Sequence, residues 1–200
     1  LLLESDLKEI GNYCNRLNDY NAQRQNECDK LLKSAKAKIE KEGLAEKVIV
    51  LHDDEWNGGL VGIVAAKLVE EFSRPVVLFT KTDKYYHGSA RSIESINIFQ
   101  AVNACKHLLV EFGGHAQAAG ITVSEQNLPL FAKELAKFID ENYTSDYFAS
   151  SLEVEDIISE RFTVDFAKEL TLLEPFGTGN RKPLFCVKAE NVNASPLKPG

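Results

Sequence analysis

The sequence predicts an α/β domain with a mixed, partly parallel β-sheet flanked by helices. A long helix precedes it, and the beginning of a second, β-containing domain follows. Three observations carry this reading. Residues 1–42 hold no proline and only one glycine, Gly11, while apolar residues recur at three- and four-residue steps. Between Lys47 and Tyr143, short β-branched runs alternate with helix-patterned stretches, the order that places helices on a sheet. Beyond Thr144 the chain becomes polar and then turn-rich, with Glu174, Pro175, Phe176, Gly177, Thr178, Gly179 and Asn180 in succession.

The first helix rests on Leu3, Leu7, Ile10, Cys14 and Leu17, then on Cys28, Leu31, Leu32, Ala35 and Ile39. The polar run Asn18, Asp19, Tyr20, Asn21 is a candidate break, and Gly43 a candidate stop. Lys47–Leu51 reads as a buried strand, and Gly59–Phe72 as a helix opened by glycines. Pro75–Thr80 and Tyr85–Arg91 are further strands. Asn97–Val110 is a second helix, with Ile98, Ala101, Val102, Cys105 and Leu108 on one side. Ala119–Ser124 is a strand, and Asn127–Tyr143 a helix whose core face is Leu130, Phe131, Leu135, Phe138 and Ile139. After a linker come Leu152, Glu153 and Val154, a helical stretch from Thr163 to Leu173, and a strand over Pro183–Lys188. The domain limits expected are 1–44, 45–146 and 147–200.

Composition excludes several classes. The apolar share of 44% supports a sizeable core, and 26% charged residues suit a globular chain. No apolar run approaches the roughly 20 residues that span a bilayer, and no charged-then-apolar leader opens the chain; a cytoplasmic protein is the expectation. Cys14, Cys28, Cys105 and Cys186 form no closely spaced pair, so neither a zinc ribbon nor a dithiol site is expected. A net charge of −7 argues against a polycationic nucleic-acid binder. It leaves room for a local site that grips one phosphate. The chain starts at Leu1, contains no methionine and stops at Gly200, and is read as a segment excised from a longer protein.

Two stretches can carry chemistry. Gly113, Gly114 and His115 allow close backbone approach to a ligand; amides at a helix start there would bind a phosphate, and the histidine can donate or stack. Gly88, Ser89, Ala90, Arg91 and Ser92 close the third strand, where a guanidinium and two hydroxyls suit a phosphate. Both also admit a plain reading, as a glycine turn with a capping histidine and as a polar turn with a solvated arginine. Trp56 and Asn57, before Gly58 and Gly59, lie at a strand-to-helix crossing that fits neither a dinucleotide fingerprint nor a P-loop. Trp56 can stack on a base or simply pack the turn. His52, Asp53, Asp54 and Glu55 look like metal ligands, but four adjacent loop residues cannot all face one ion, and no two-metal constellation is visible.

Taken together, these segments resemble the C-terminal half of the RecJ-type single-stranded-DNA exonucleases, in the DHH phosphoesterase superfamily. The resemblance runs through Trp56–Leu68, Arg74–Leu78, Gly88–Ile93, Phe112–Thr122 and Leu173–Phe185, in that order. Leu17–Gln25 resembles the family's long connector helix, and the tail resembles the entry to its oligonucleotide-binding (OB) barrel. The resemblance implies a DHH-associated domain that closes on single-stranded DNA. Ser89, Arg91 and Ser92 would bind the 5′-terminal phosphate, and Gly113, Gly114 and His115 would approach the strand. It also implies a preceding DHH domain that contacts this chain, holds Mn2+ or Mg2+ and performs 5′-to-3′ hydrolysis in DNA repair and recombination. No metal or catalytic residue is then expected in the chain itself. Asn57 and Gly58 depart from the family's frequent histidine and proline, which puts a ligand role for Trp56 and Asn57 in doubt. A related phosphodiesterase of short oligonucleotides or cyclic dinucleotides, and a non-catalytic interaction module, are the alternatives. The Leu173–Phe185 tail disfavours the first, and the intact glycine–histidine and serine–arginine segments the second.

Overall fold

In the computed structural model, residues 6–42, 47–149, 154–158 and 163–188 are described. They form two compact units, residues 1–149 and 150–200. Leu3, Gly43, Leu152, Glu153 and the last part of the tail lie outside the described residues.

Helix α1 (Leu7–Glu42) is continuous over 36 residues, about 54 Å at 1.5 Å per residue. The expected break at Asn18–Asn21 is absent. Each Asn or Asp costs well under ~1 kcal/mol of helix propensity, and local bonds such as Arg24 Nη2 to Asn21 Oδ1 (2.9 Å) support the turn. Among the described residues its second half is the part that packs: Cys28, Leu31, Ala35 and Ile39 are buried, whereas Leu7, Leu17 and Tyr20 are exposed at 84%, 53% and 58%.

The sheet contains β1 (Ile49–His52), β2 (Val76–Thr82) and β3 (Tyr85–Arg91), then β4 (Leu109–His115) and β5 (Ala118–Ser124). Its order is β1-β2-β3-β5-β4. Strands β1 and β2 are parallel, and every other pair is antiparallel. The single parallel pair is joined across α2 (Val61–Phe72). On one face α1 and α2 bury Ile49, Leu51, Val76 and Leu78. On the other, α3 (Ile98–Ala104) and α4 (Leu128–Asn142) cover Val77, Phe79, Ala90, Ile121 and Val123. Gly88 is fixed by this packing, since a Cβ there would sit 2.3 Å from the Phe79 ring.

The helix expected over Asn97–Val110 is shorter. Asn97 Oδ1 caps it by accepting the Gln100 amide (3.1 Å), but it ends at Ala104. A 3-10 turn over Lys106–Leu108 follows, and the chain then extends as β4. Adjacent Leu108, Leu109 and Val110 fit either period, and pairing with β5 decides the matter. The helix start expected at Gly113 is therefore a strand. The second unit comprises β6 (Asp156–Ile158), α5 (Val164–Leu170) and β7 (Phe185–Val187), with β6 and β7 parallel. Thr163 caps α5 by accepting the Phe166 amide (3.1 Å).

The loop between β1 and α2 is braced from three sides. Lys38 of α1 donates to the His52 carbonyl (2.6 Å), pairs with Asp53 (3.0 Å) and lies 5.3 Å from the Trp56 ring centre. Trp56 is buried, and its indole N–H donates to Ser34 Oγ (3.2 Å). Thr80 Oγ1 donates to the Trp56 carbonyl (2.5 Å) and Tyr86 Oη to Asp54 (2.7 Å). Burial pushes the Asp53 carboxyl up, but the Glu55 amide, Lys38 and His52 together hold it below its ordinary value. Asp53 and Asp54 are thus structural brackets.

The Tyr86 phenol is pushed up to about 12, first by its bond to Asp54 and then by burial. Its protonated form is the stabilised one. Its contribution to stability should therefore be complete below about pH 10, the unfolded value, and vanish as pH rises through about 12. Phenolate absorbance of wild type minus Tyr86→Phe should show one tyrosine titrating near that upper value. A midpoint near 10 would contradict the bracket.

Candidate functional site

Register places the site. In paired strands, residues opposite one another face the same way. Three rows therefore run across β3, β5 and β4 on the face that α2 shares: Arg91, Ala118 and His115; Ser89, Gly120 and Gly113; His87, Thr122 and Glu111. Their β2 partners are Val76, Leu78 and Thr80, which lie under α2 and the Trp56 turn. Among the described residues of the first unit, the helix layer stops over β3. Beyond it, across β5 and β4, the face is a trough with a floor of Ala118, Gly120 and Gly113. Arg91 and His115 stand two strand spacings apart, about 10 Å.

The inner wall is made by the first turn of α2. An ideal Cβ on Gly62 would lie 3.0 Å from both Arg91 Nη2 and Ser89 Oγ. Arg91 Nη1 donates to Ser89 Oγ and to the Ala90 carbonyl, both at 2.8 Å. Those bonds fix the guanidinium plane and leave Nη2 turned toward Gly62. Helix α2 has no side-chain cap at Leu60.

On the outer edge, the His115 Nδ1 accepts the Gln117 amide (3.4 Å). A neutral imidazole then carries its proton on Nε2 as a donor. The two neighbouring glycines differ. Gly114 has φ +155° and its Cβ would fall 2.2 Å from the Ala118 carbonyl oxygen, so the hairpin itself demands glycine. Gly113 has nothing within 4 Å of such a Cβ, and across from it Gly120 meets only the Gly113 carbonyl oxygen, at 4.0 Å. Neither has positive φ. No internal packing asks for glycine at 113 or 120.

Of the residues singled out from sequence, Ser89, Arg91, Gly113 and His115 come together on this face. Gly114 belongs to the opposite one. Ser92 lies just past β3; its hydroxyl donates to the Ile96 carbonyl (2.8 Å) and its amide to the Gln117 carbonyl (3.0 Å), tying β3 to the β4–β5 turn. Trp56 packs the turn. Asn57 is exposed; its Oδ1 accepts the Gly59 amide (2.9 Å) and its Nδ2 donates to Glu27 (3.3 Å). Sequence reasoning missed Gly62, His87, Thr122 and Gly120. His87, whose Nδ1 is 3.2 Å from Thr122 Oγ1, was legible as the period-two partner of Ser89 and Arg91. Among the described residues no three His, Cys, Asp or Glu gather to hold a metal, and no helix is long and apolar enough to cross a membrane.

Comparison with known proteins agrees with this architecture. Residues 45–141 match the DHHA1 domain and residues 155–198 the RecJ OB domain. The chain is 36% identical over 186 residues to the single-stranded-DNA-specific exonuclease RecJ of Bacillus subtilis, covering 92% of this chain and 24% of the relative. To the protein of that name in Thermus thermophilus it is 33% identical over 203 residues, covering 100% and 29%. The chain thus spans between about a quarter and a third of the length of these two relatives. Crystal structures of Thermus thermophilus RecJ with Mg2+ and with Mn2+ superpose with TM-scores of 0.80 and 0.81, each at 30% identity. They cover 92% and 93% of this chain, and it covers 28% and 27% of theirs. With the DHHA1 and RecJ OB domains matched in order, and the fold shared with solved RecJ structures, the chain belongs to the RecJ family.

Proposed function

We propose that this chain is the strand-gripping part of a 5′-to-3′ single-stranded-DNA exonuclease acting in DNA repair and recombination in the cytoplasm. The observation that carries the reading is the trough floored by Gly113 and Gly120. A glycine inside a strand weakens it and has a reason when another backbone must come close. Here internal packing supplies no such reason, and an exposed, side-chain-free floor lets a sugar–phosphate chain lie directly against the sheet.

The groups around the floor set its chemistry. Arg91 and Ser89 suit a terminal 5′-phosphate, the guanidinium supplying charge and the serine hydroxyl a neutral donor. His115 and His87 stand where they can donate to the following backbone or lie against a base. Hydrolysis belongs to a DHH domain elsewhere in the full-length protein, with Mg2+ or Mn2+ as in the crystal structures of Thermus RecJ. Among the described residues no three His, Cys, Asp or Glu gather as metal ligands would. The exposed Leu7, Tyr13, Leu17 and Tyr20 on α1 are the surface through which such a domain would contact this chain.

Three outcomes test the reading. Gly113→Val and Gly120→Val should leave the melting temperature nearly unchanged and weaken single-stranded DNA binding by the full-length protein about tenfold or more, ~1.4 kcal/mol. Gly114→Ala should instead destabilise the fold by about 1–3 kcal/mol. Unaltered binding by both valine variants would refute the trough. In the same protein Arg91→Ala should weaken 5′-phosphorylated oligonucleotides by about 10- to 150-fold, the equivalent of one charge-assisted bond of ~1.5–3 kcal/mol, and 5′-hydroxyl ones far less. Equal loss on both would remove the phosphate role. The 200-residue chain alone should release no nucleotides from single-stranded DNA with Mn2+ or Mg2+, and robust hydrolysis would overturn the division of labour.

A further inference from the structure

Glycine at the second position of a 12-residue helix invites a cause, because glycine is a weaker helix former than alanine. For Gly62 the three nearest atoms to an added Cβ, outside its own helix backbone, are Arg91 Nη2 and Ser89 Oγ at 3.0 Å and Arg91 Cζ at 3.6 Å. These are side-chain ends rather than backbone, so a methyl group there displaces them and not the fold. What a methyl would disturb is the placement of the guanidinium and hydroxyl.

Their bonding makes that placement specific. Arg91 Nη1 is committed to Ser89 Oγ and the Ala90 carbonyl, while Nη2 has no partner among the described residues. Ser89 Oγ accepts from Arg91, which leaves its own O–H to donate. The amide of Leu60 bonds the Asn57 carbonyl, and those of Ile63 and Val64 bond the Leu60 carbonyl. The amides of Val61 and Gly62 between them have no partner among the described residues. One corner therefore holds an arginine edge, a hydroxyl proton and an uncapped helix start, with Gly62 against the two side chains.

We propose that Gly62 is a specificity-determining position: its missing side chain keeps the seat between α2 and the Ser89–Arg91 pair open for a terminal phosphate. The inference rests on the 5′-phosphate reading and adds that Gly62 acts through Arg91, as a positioning residue. An alanine methyl takes up the space beside Nη2, turns the guanidinium aside and shuts the phosphoryl group out. A 5′-hydroxyl strand, which places nothing in the seat, binds as before.

The test is a double-mutant cycle in the full-length protein with Gly62→Ala, Arg91→Ala and the pair combined. Each is measured for melting temperature and for the ratio of Kd values on 5′-hydroxyl and 5′-phosphate oligonucleotides of one sequence. Gly62→Ala should keep or raise the melting temperature and lower the preference for phosphate about tenfold, the loss of one charge-assisted bond. The combined variant should prefer phosphate no less than Arg91→Ala alone, since the two act on one contact. A preference kept within about twofold by Gly62→Ala but lost in Arg91→Ala overturns the inference and leaves the phosphate site standing. A preference kept in Arg91→Ala removes the phosphate reading and this inference together. Full additivity of the two losses overturns the claim that Gly62 works through Arg91.

Discussion

The arrangement depends on a mismatch of widths. Five strands at about 4.8 Å spacing make a sheet roughly 19 Å across, while one helix with its side chains covers about 10–12 Å. On the face of α3 and α4, two helices and the aromatic rings of Phe79 and Phe131 complete the cover. On the other face α2 lies over β2 and β3, with the second half of α1 outside it on β1. Among the described residues of the first unit, no helix packs on that face over β5 and β4 as α2 does over β2 and β3. The half-face left open must be polar or featureless, and the sequence meets that demand with Gly120, Thr122, Gly113 and Ala118.

The same mismatch explains why the edge of α2 matters. A helix that ends its cover over β3 brings its first turn against whatever β3 presents there, and β3 presents Ser89 and Arg91. The height of that turn is set by the bracketed loop before it. Lys38, Ser34, Thr80 and Tyr86 reach this loop from a helix and two strands. None of these bonds is strong alone, at about 1 kcal/mol net for a neutral one. Together they allow the Trp56 turn one height above the sheet. The site is thus held through side chains that never face it.

Much of the fold was legible because burial writes a period into sequence. Val76, Val77, Leu78 and Phe79 announce a strand buried on both faces, and Phe131, Leu135 and Ile139 a helix stripe. Where burial is slight the pattern fails. Strand β4 has two glycines and one packed aromatic, Phe112, and its first residues continue the apolar rhythm of α3; only its partner β5 makes it a strand. The site was half legible for the same reason. Ser89, Arg91 and His115 carry polar side chains and stand out, whereas Gly62 and Gly120 enter the proposed site only by lacking one. A glycine shows its purpose only against its neighbours. Gly88 and Gly114 are required from within and Gly113 is not, yet the three look alike on a line of text.

That distinction also resolves the acidic composition. A net charge of −7 argues against holding a strand by neutralising many phosphates, which is how sequence-independent affinity usually arises. The chain can hold one by geometry, if the backbone approaches closely and the few donors present are already aimed. Arg91 is held by its bonds to Ser89 and the Ala90 carbonyl and His115 by the Gln117 amide, so on the proposed reading little side-chain entropy would be lost on binding. Affinity obtained this way depends on strand ends and shape more than on salt.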